Sequence, residues 1–269
     1  MLGIRDGRIV CACRDFTFPD SRLVNFHDLK NSLSDDEPGF TEDASTGSGV
    51  VLADVRSAIH RIPVLRSIDG VSDRFWDMFV VDAFIRNIDR NNTNWGVLRN
   101  PRGEFSLAPV YDNGNSFNNK RTDSGIERRL ANPDLIRQDA LDVRSCYVTD
   151  RGKPIAPLKY LASGQDEECT KALDRFMERY DPRSFHDLLG SIPSMSHGLT
   201  VVPDGFHEYH RRVCDYRYEH AFMEAWRDLH PTVGVPSSPE ASVPEPLPDP
   251  DPSVLPSSSV PTCFDGPGM

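Results

Sequence analysis

The stretch from residue 82 to residue 117, DAFIRNIDRNNTNWGVLRNPRGEFSLAPVYDNGNSF, constrains this chain more than any other. Asp89 is followed by Asn94, and a second aspartate, Asp112, precedes an Asn-Gly pair. Between them, WGVL and EFSLAPVY are typical of two strands, and the segment from Asn100 to Gly103 is typical of the turn that joins them. The sequence therefore predicts that these polar residues stand at the ends of rigid elements, as a functional site requires.

A helix is predicted immediately before this stretch. Residues 75 to 85, FWDMFVVDAFI, are apolar nearly all round. A helix with that pattern is buried inside a domain, whereas a surface helix carries one polar face. Ser72 is a plausible N-cap for it. We therefore expect the first aspartate to follow a rigid, buried helix.

The spacing of the polar residues matches the needs of phosphoryl transfer. That reaction requires a carboxylate that orients and deprotonates the attacking hydroxyl, and oxygen ligands for magnesium. Protein kinases use Asp-x-x-x-x-Asn and, after a short hairpin, Asp-x-Gly. On this interpretation Asp89 is the catalytic base, and Asn94 and Asp112 are hard-oxygen ligands of Mg²⁺. Asn113 stands where Phe is usual. The alternative is that these are ordinary turn residues, but the buried helix and the hairpin favour a phosphotransferase.

These residues also carry a family resemblance. FWDMFVVDAFIRNIDRNNTNWGVL followed by LAPVYDNGNSF resembles the signature of the HipA-like serine/threonine kinases, including the CtkA-type branch. The resemblance implies an α+β fold: a mostly helical kinase-like C-terminal lobe with a small antiparallel hairpin that carries the metal-binding aspartate. It implies ATP and Mg²⁺ as cofactors, Asp89 as the catalytic residue, and Asn94 and Asp112 as metal ligands. Asn91 stands where the family usually has His, and it cannot carry a proton as His does.

The first twenty residues predict a second hairpin. LGIR and RIVCACRDF are separated by Asp6 and Gly7, a turn pair typical of tight hairpins. In the resembled family such a strand leads into the hinge that contacts adenine, which makes Arg14, Asp15 and Phe16 candidate nucleotide-hinge residues. The alternative is that Asp15 ends the strand and Phe16 packs in the core.

Two parts of a complete kinase are not recognisable in the sequence. A glycine-rich loop over the phosphates and a strand lysine are both required. The GSG at 47 to 49 is typical of a linker, and Lys30 is predicted to be a solvated helix residue. We therefore expect a truncated chain or an N-lobe supplied by a separate chain. Two alternatives stay open: a catalytically inactive kinase-like interaction module, and a small-molecule phosphotransferase.

The amino-acid composition restricts the classes of molecule that the protein is expected to bind and the environment in which it is expected to work. The 269 residues carry 30 Lys and Arg against 41 Asp and Glu, a net charge of −11, which disfavours bulk nucleic-acid binding through a basic surface. The six cysteines show no Cys-x-x-Cys spacing, so a reduced, cytoplasmic protein is expected. No apolar run is long enough to predict a membrane span. The family resemblance implies a toxin or effector role, with a protein substrate or an antitoxin-like partner.

The predicted domain spans residues 1 to 230, with the hairpin of residues 1 to 20 on its hinge side. After the site we predict a polar segment at 118 to 130, whose arginines could bind phosphate or could simply be solvated. The domain is predicted to end in one long helix from about 204 to 230. Residues 231 to 269 hold 11 of the 22 prolines, five acids and no Lys or Arg. Such a segment cannot bury enough apolar surface to fold, so it is predicted to be a disordered tail.

Overall fold

A computed structural model describes residues 2–17, 19–34 and 49–231 of the chain. Its strands are β1 (Leu2–Arg5), β2 (Arg8–Cys11), β3 (Arg22–Asn25), β4 (Val50–Val51), β5 (Gly96–Arg99), β6 (Phe105–Leu107), β7 (Tyr147–Val148), β8 (Met195–Ser196) and β9 (Leu199–Thr200). Its helices are α1 (Phe26–Ser34), α2 (Leu52–Arg61), α3 (Pro63–Arg66), α4 (Val71–Ile85), α5 (Asp123–Leu130), α6 (Pro133–Leu141), α7 (Pro157–Ser163), α8 (Glu167–Arg179), α9 (Pro182–Gly190), α10 (Phe206–Arg217) and α11 (Met223–Leu229). The predicted GSG linker, apart from Gly49, and the predicted tail from residue 232 lie outside the described residues.

Helix α4 is the centre of the core, as its apolar sequence predicts. Phe75, Trp76 and Val80 are completely buried, and α8 packs along the helix. The N-terminus differs from the prediction, because the cap position is Gly70 in the left-handed conformation, with φ 77°. Ser72 lies inside the helix, where its hydroxyl donates a 2.7 Å hydrogen bond to Glu168 Oε1 of α8. The predicted cap therefore links two helices.

The predicted hairpin is present and belongs to a larger sheet. Strands β5 and β6 pair antiparallel around the turn at Asn100–Gly103. The unexpected element is β3, which pairs antiparallel with β5 on its other edge. Helix α1, which contains Lys30, therefore begins only at Phe26, directly after this strand. Local sequence did not reveal this strand, because its pairing partner lies about seventy residues away and a four-residue run carries little periodicity.

The N-terminal hairpin forms as predicted. Strands β1 and β2 pair antiparallel, with Arg5 opposite Arg8. Asp6 and Gly7 both have positive φ, 51° and 71°. Two positive φ values at the central positions are the pattern of the type I′ turn, which matches the twist of the flanking strands.

The predicted long C-terminal helix is interrupted. Helix α10 and helix α11 are joined by a π-helical turn, Tyr218–Phe222. Arg217, at the end of α10, is 1% exposed and donates to the backbone carbonyls of Phe84, Asp139 and Ala140. A π-helical turn is a local widening that spacing arguments do not reveal.

The α+β class predicted from the sequence is confirmed: helices dominate, and the described sheets have two or three strands each. None of the described helices is both long enough and apolar enough to cross a lipid bilayer.

Candidate active site

The loop after α4 is fixed at both ends. The helix ends at Ile85, and the next residue, Arg86, adopts a left-handed conformation with φ 57°. The amide of Asn87 then donates to the carbonyl of Asp82 at 2.9 Å. At the other end, Trp95 is buried, and its carbonyl accepts a 2.9 Å bond from the amide of Phe26. The residues between these anchors include both Asp89 and Asn94.

The carboxylate of Asp89 is oriented by two side-chain amides. Asn91 Nδ2 donates to Oδ1 at 3.0 Å, and Asn115 Nδ2 donates to Oδ2 at 2.8 Å. Asn91 is itself fixed, since its Oδ1 accepts from the Thr93 amide at 2.9 Å and from the Thr93 hydroxyl at 2.6 Å. The asparagine that replaces the usual histidine therefore contacts the predicted base directly.

Asn94 presents its amide oxygen as an acceptor. Its Nδ2 donates to the backbone carbonyl of Asp89 at 2.7 Å, so the amide is held in one orientation. Its Oδ1 lies 3.2 Å from the hydroxyl oxygen of Thr93, whose single hydrogen is donated to Asn91 over the shorter distance of 2.6 Å. Asn94 is 8% exposed. An oriented, nearly buried amide oxygen is a suitable ligand for a hard cation.

Asp112 lies in the second loop, immediately after the hairpin. The residue is exposed and has a φ of 55°, a left-handed conformation that Asp adopts more readily than most other residues. The preceding residue, Tyr111, ties this loop to the first one, because its hydroxyl donates to the carbonyl of Thr93 at 2.9 Å. Burial raises the pKa of Tyr111 to about 12, so this hydroxyl stays a donor at neutral pH.

A buried arginine lies between the two loops. Arg90 is 2% exposed, and its Nε donates to Asp82 Oδ2 at 2.8 Å. The same guanidinium donates to the carbonyl of Asn94 at 2.7 Å and to the side chain of Asn113. Burial raises the pKa of the Asp82 carboxyl, while hydrogen bonds from Arg90 and Asn87 and the charge of Arg90 oppose that rise.

Of the three predicted hinge residues, Phe16 lies next to the candidate site. The ring of Phe16 lies 5.8 Å from that of Tyr111, centroid to centroid, which places it beside the second loop. Arg14 and Asp15 are exposed. Asp15 Oδ1 accepts from the amide and the hydroxyl of Thr17 at 2.8 and 2.6 Å. The assignment of Arg14, Asp15 and Phe16 to a nucleotide hinge stays a prediction.

Two predictions about basic residues are corrected. Lys30 is completely buried, with its Nζ 4.0 Å from Asp54 Oδ2, because it lies on the same face of α1 as the buried Phe26, four residues earlier. In the polar segment after the site, Arg121 and Arg129 both form ion pairs with Asp139. These two arginines therefore support the helical packing and are not part of a solvated charge run.

The sequence interpretation missed the residues that orient the predicted ones. These residues are Arg90, which directly follows Asp89, Asn113, which is the middle residue of the Asp-x-Gly motif, and Asn115, which follows that motif. The only signal was the high density of Asn in both loops, which is equally typical of turns.

The donor set fits magnesium. Within the described residues there is no group of three or more His, Cys, Asp or Glu side chains that could hold a metal ion. Asn94 and Asp112 instead offer an amide oxygen and a carboxylate. Mg²⁺ binds through one or two protein oxygens, and it keeps several waters and substrate phosphates as its other ligands.

Comparison with known proteins agrees with the resemblance. No family model matches the chain. The serine/threonine-protein kinase CtkA of Helicobacter pylori is 32% identical over 198 residues, which cover 73% of this chain and 58% of that protein. The crystal structure of the H. pylori proinflammatory kinase CtkA superimposes with a TM-score of 0.74 at 28% identity, covering 87% of this chain and 80% of that one. The chain thus spans less than two thirds of the length of the curated relative. In sequence and in fold, it is a homologue of the CtkA-type serine/threonine kinases.

Proposed function

We propose that this chain is the catalytic-loop lobe of an ATP- and Mg²⁺-dependent protein serine/threonine kinase. The observation that carries the proposal is the convergence of two loops that are distant in sequence: Asn115 of the second loop binds the carboxylate of Asp89 in the first at 2.8 Å. Asp112 lies on that same second loop. A base and a metal ligand held on adjoining loops are what phosphoryl transfer requires.

Asp89 would accept the proton of the attacking hydroxyl. Each of its oxygens already accepts one amide hydrogen bond, and a carboxylate oxygen has a second lone pair for a substrate hydroxyl. The two amides fix the direction of that lone pair. Removing the base from such a site lowers the rate by roughly 10²- to 10⁴-fold.

Asn94 and Asp112 would hold magnesium. When bound, the ion neutralises the charge that develops on the transferred phosphoryl group. In this chain the side-chain amide of Asn94 is already held in one orientation, because its Nδ2 donates a hydrogen bond to the backbone carbonyl of Asp89. The site therefore needs little rearrangement of Asn94 to present its oxygen.

The test begins with binding, because neither a glycine-rich loop nor a strand lysine is recognisable in the amino-acid sequence. We expect calorimetry on the full chain to detect ATP binding that depends on MgCl₂. Asp112→Asn should weaken that dependence, whereas Asp134→Asn, a control whose side chain is 82% exposed on α6, should not. Asp89→Asn should bind ATP normally and lose phosphate transfer to protein substrates.

The opposite result is also informative. A wild-type chain that is folded and shows no magnesium-dependent nucleotide binding contradicts the kinase proposal and supports an interaction module. Transfer to aminoglycosides or choline, with none to proteins, would identify a small-molecule phosphotransferase. A toxin or effector role in the cytoplasm, with an antitoxin-like partner, is a further part of the proposal. It predicts growth arrest on expression of the wild type and no arrest with Asp89→Asn.

A further inference from the structure

The Arg90 side chain uses every donor it has. A guanidinium carries five N–H groups. Nε donates to Asp82 Oδ2 at 2.8 Å, and Nη2 to Asp82 Oδ1 at 3.2 Å and to Asn113 Oδ1. Nη1 donates to the carbonyls of Asn94, at 2.7 Å, and Tyr111. These five acceptors come from helix α4, from the first loop and from the second loop.

The acceptors flank the predicted metal ligands. One is the backbone carbonyl of Asn94 itself, and two belong to the residues on either side of Asp112. Because one rigid, planar group bonds to all three, it determines how far apart the two ligands lie. We propose that Arg90, together with Asn113, is a positioning residue that holds Asn94 and Asp112 at the separation a magnesium ion requires. The proposal rests on the proposed kinase function.

The buried position of Arg90 explains why an arginine is needed. Asp82 is 7% exposed and supplies the opposite charge. The hydroxyl of Tyr147 donates to the backbone carbonyl of Arg90 at 3.1 Å, which fixes the main chain as well. A lysine could keep the charge, but its single ammonium nitrogen carries three donors and cannot bond to all five of these acceptors.

The bond between Arg90 and Asn113 can be removed by a substitution at Asn113 that leaves the buried core intact. The residue is exposed, and its side-chain oxygen accepts from Arg90. Phe, which is usual at this position in protein kinases, has no oxygen to offer. The bond between the side chains of Arg90 and residue 113 therefore depends on the asparagine of this chain.

The experiment compares Arg90→Lys and Asn113→Ala with wild type. Arg217→Lys is the matched control, because Arg217 is equally buried and binds backbone carbonyls that belong to neither loop. Binding of a non-hydrolysable ATP analogue is measured by calorimetry over a series of MgCl₂ concentrations. Residues that orient metal ligands change metal affinity by about 10- to 100-fold. We expect Arg90→Lys to raise the midpoint magnesium concentration by that factor, Asn113→Ala to raise it several-fold, and Arg217→Lys to leave it unchanged.

Hydrogen exchange on the free protein provides a readout that needs no nucleotide. The amides of residues 108 to 117 should exchange faster in Arg90→Lys and Asn113→Ala than in wild type, and those of α4 should not. Folded variants with wild-type magnesium midpoints and wild-type exchange overturn the proposal. If the wild type binds no nucleotide with magnesium, the kinase function fails and the magnesium role fails with it. The exchange data then still decide whether Arg90 links the loops.

Discussion

Gly96 should be the most sensitive glycine next to the site. It is the first residue of β5 and stands opposite Asn25 of β3. A Cβ atom there would lie 2.3 Å from the carbonyl oxygen of Val24 and 2.7 Å from the Cα of Asn25. Both are backbone atoms, so no side-chain rotation can relieve the clash. The change Gly96→Ala therefore requires β3 to move.

The size of the effect follows from those distances. Non-bonded heavy atoms in contact lie about 3.5 Å apart, so the strands must separate by roughly 1 Å. Overpacking of this kind costs about 1–3 kcal/mol. The movement also weakens nearby pairing, such as the 2.9 Å bond from the Phe26 amide to the Trp95 carbonyl, at about 1 kcal/mol for each bond lost. We expect Gly96→Ala to lower the free energy of unfolding by about 2–4 kcal/mol.

Urea unfolding followed by far-ultraviolet circular dichroism measures this loss. The control is Gly3→Ala, also in a strand, where a Cβ would lie 3.8 Å from Val10 Cγ2, an ordinary contact. That control should stay within about 0.5 kcal/mol of wild type. Because Trp95 and Gly96 directly follow the loop that carries Asp89 and Asn94, the proposed magnesium-dependent nucleotide binding should also weaken in Gly96→Ala. An unfolding free energy equal to that of Gly3→Ala would refute the close approach of β3 to β5.

Two further predictions concern stability. Burial lowers the pKa of His210 to about 3, against about 6.5 when unfolded. The unfolded chain therefore binds one more proton than the folded chain between those values, so the free energy of unfolding decreases by about 1.4 kcal/mol for each unit that the pH is lowered. His210→Phe should remove this component from urea unfolding compared at pH 5.5 and 4.5, and an unchanged slope would contradict it. Asp166 caps α8 through the amides of Glu168 and Cys169 and pairs with Arg56 at 2.9 Å, so Asp166→Ala should lower the unfolding free energy by about 1–3 kcal/mol. The exposed cap Asp181, changed to Ala, should lose about 1 kcal/mol, and equal losses would argue against the contribution of the ion pair.

Short-range features were predictable because backbone geometry determines them. The type I′ turn at Asp6 and Gly7, the buried helix α4 and the β5–β6 hairpin each follow from a periodicity or a turn signal within a few residues. The order of Asp89, Asn94 and Asp112 along the chain is likewise a property of the sequence. Their assignment as base and metal ligands remains a prediction that the experiments above address.

The contacts that make these residues a site depend on the tertiary structure. Asn115 meets Asp89 across 26 positions of sequence, and Arg90 meets Asn113 across 23. Lys30 is charged and stands in a polar sequence, yet it is buried beside Asp54. No periodicity encodes such pairs, because each depends on where two distant segments pack.

Local sequence patterns are thus enough to identify the family, the central helix and hairpin, and the residue types at the predicted phosphotransferase positions. Tertiary packing alone decided how those residues are oriented: which amides bind the carboxylate of Asp89, and which acceptors surround Arg90. The physical reason is that spacing along a strand, turn or helix is a local property. The direction of a side chain in a loop is set instead by hydrogen bonds to residues that only folding brings close.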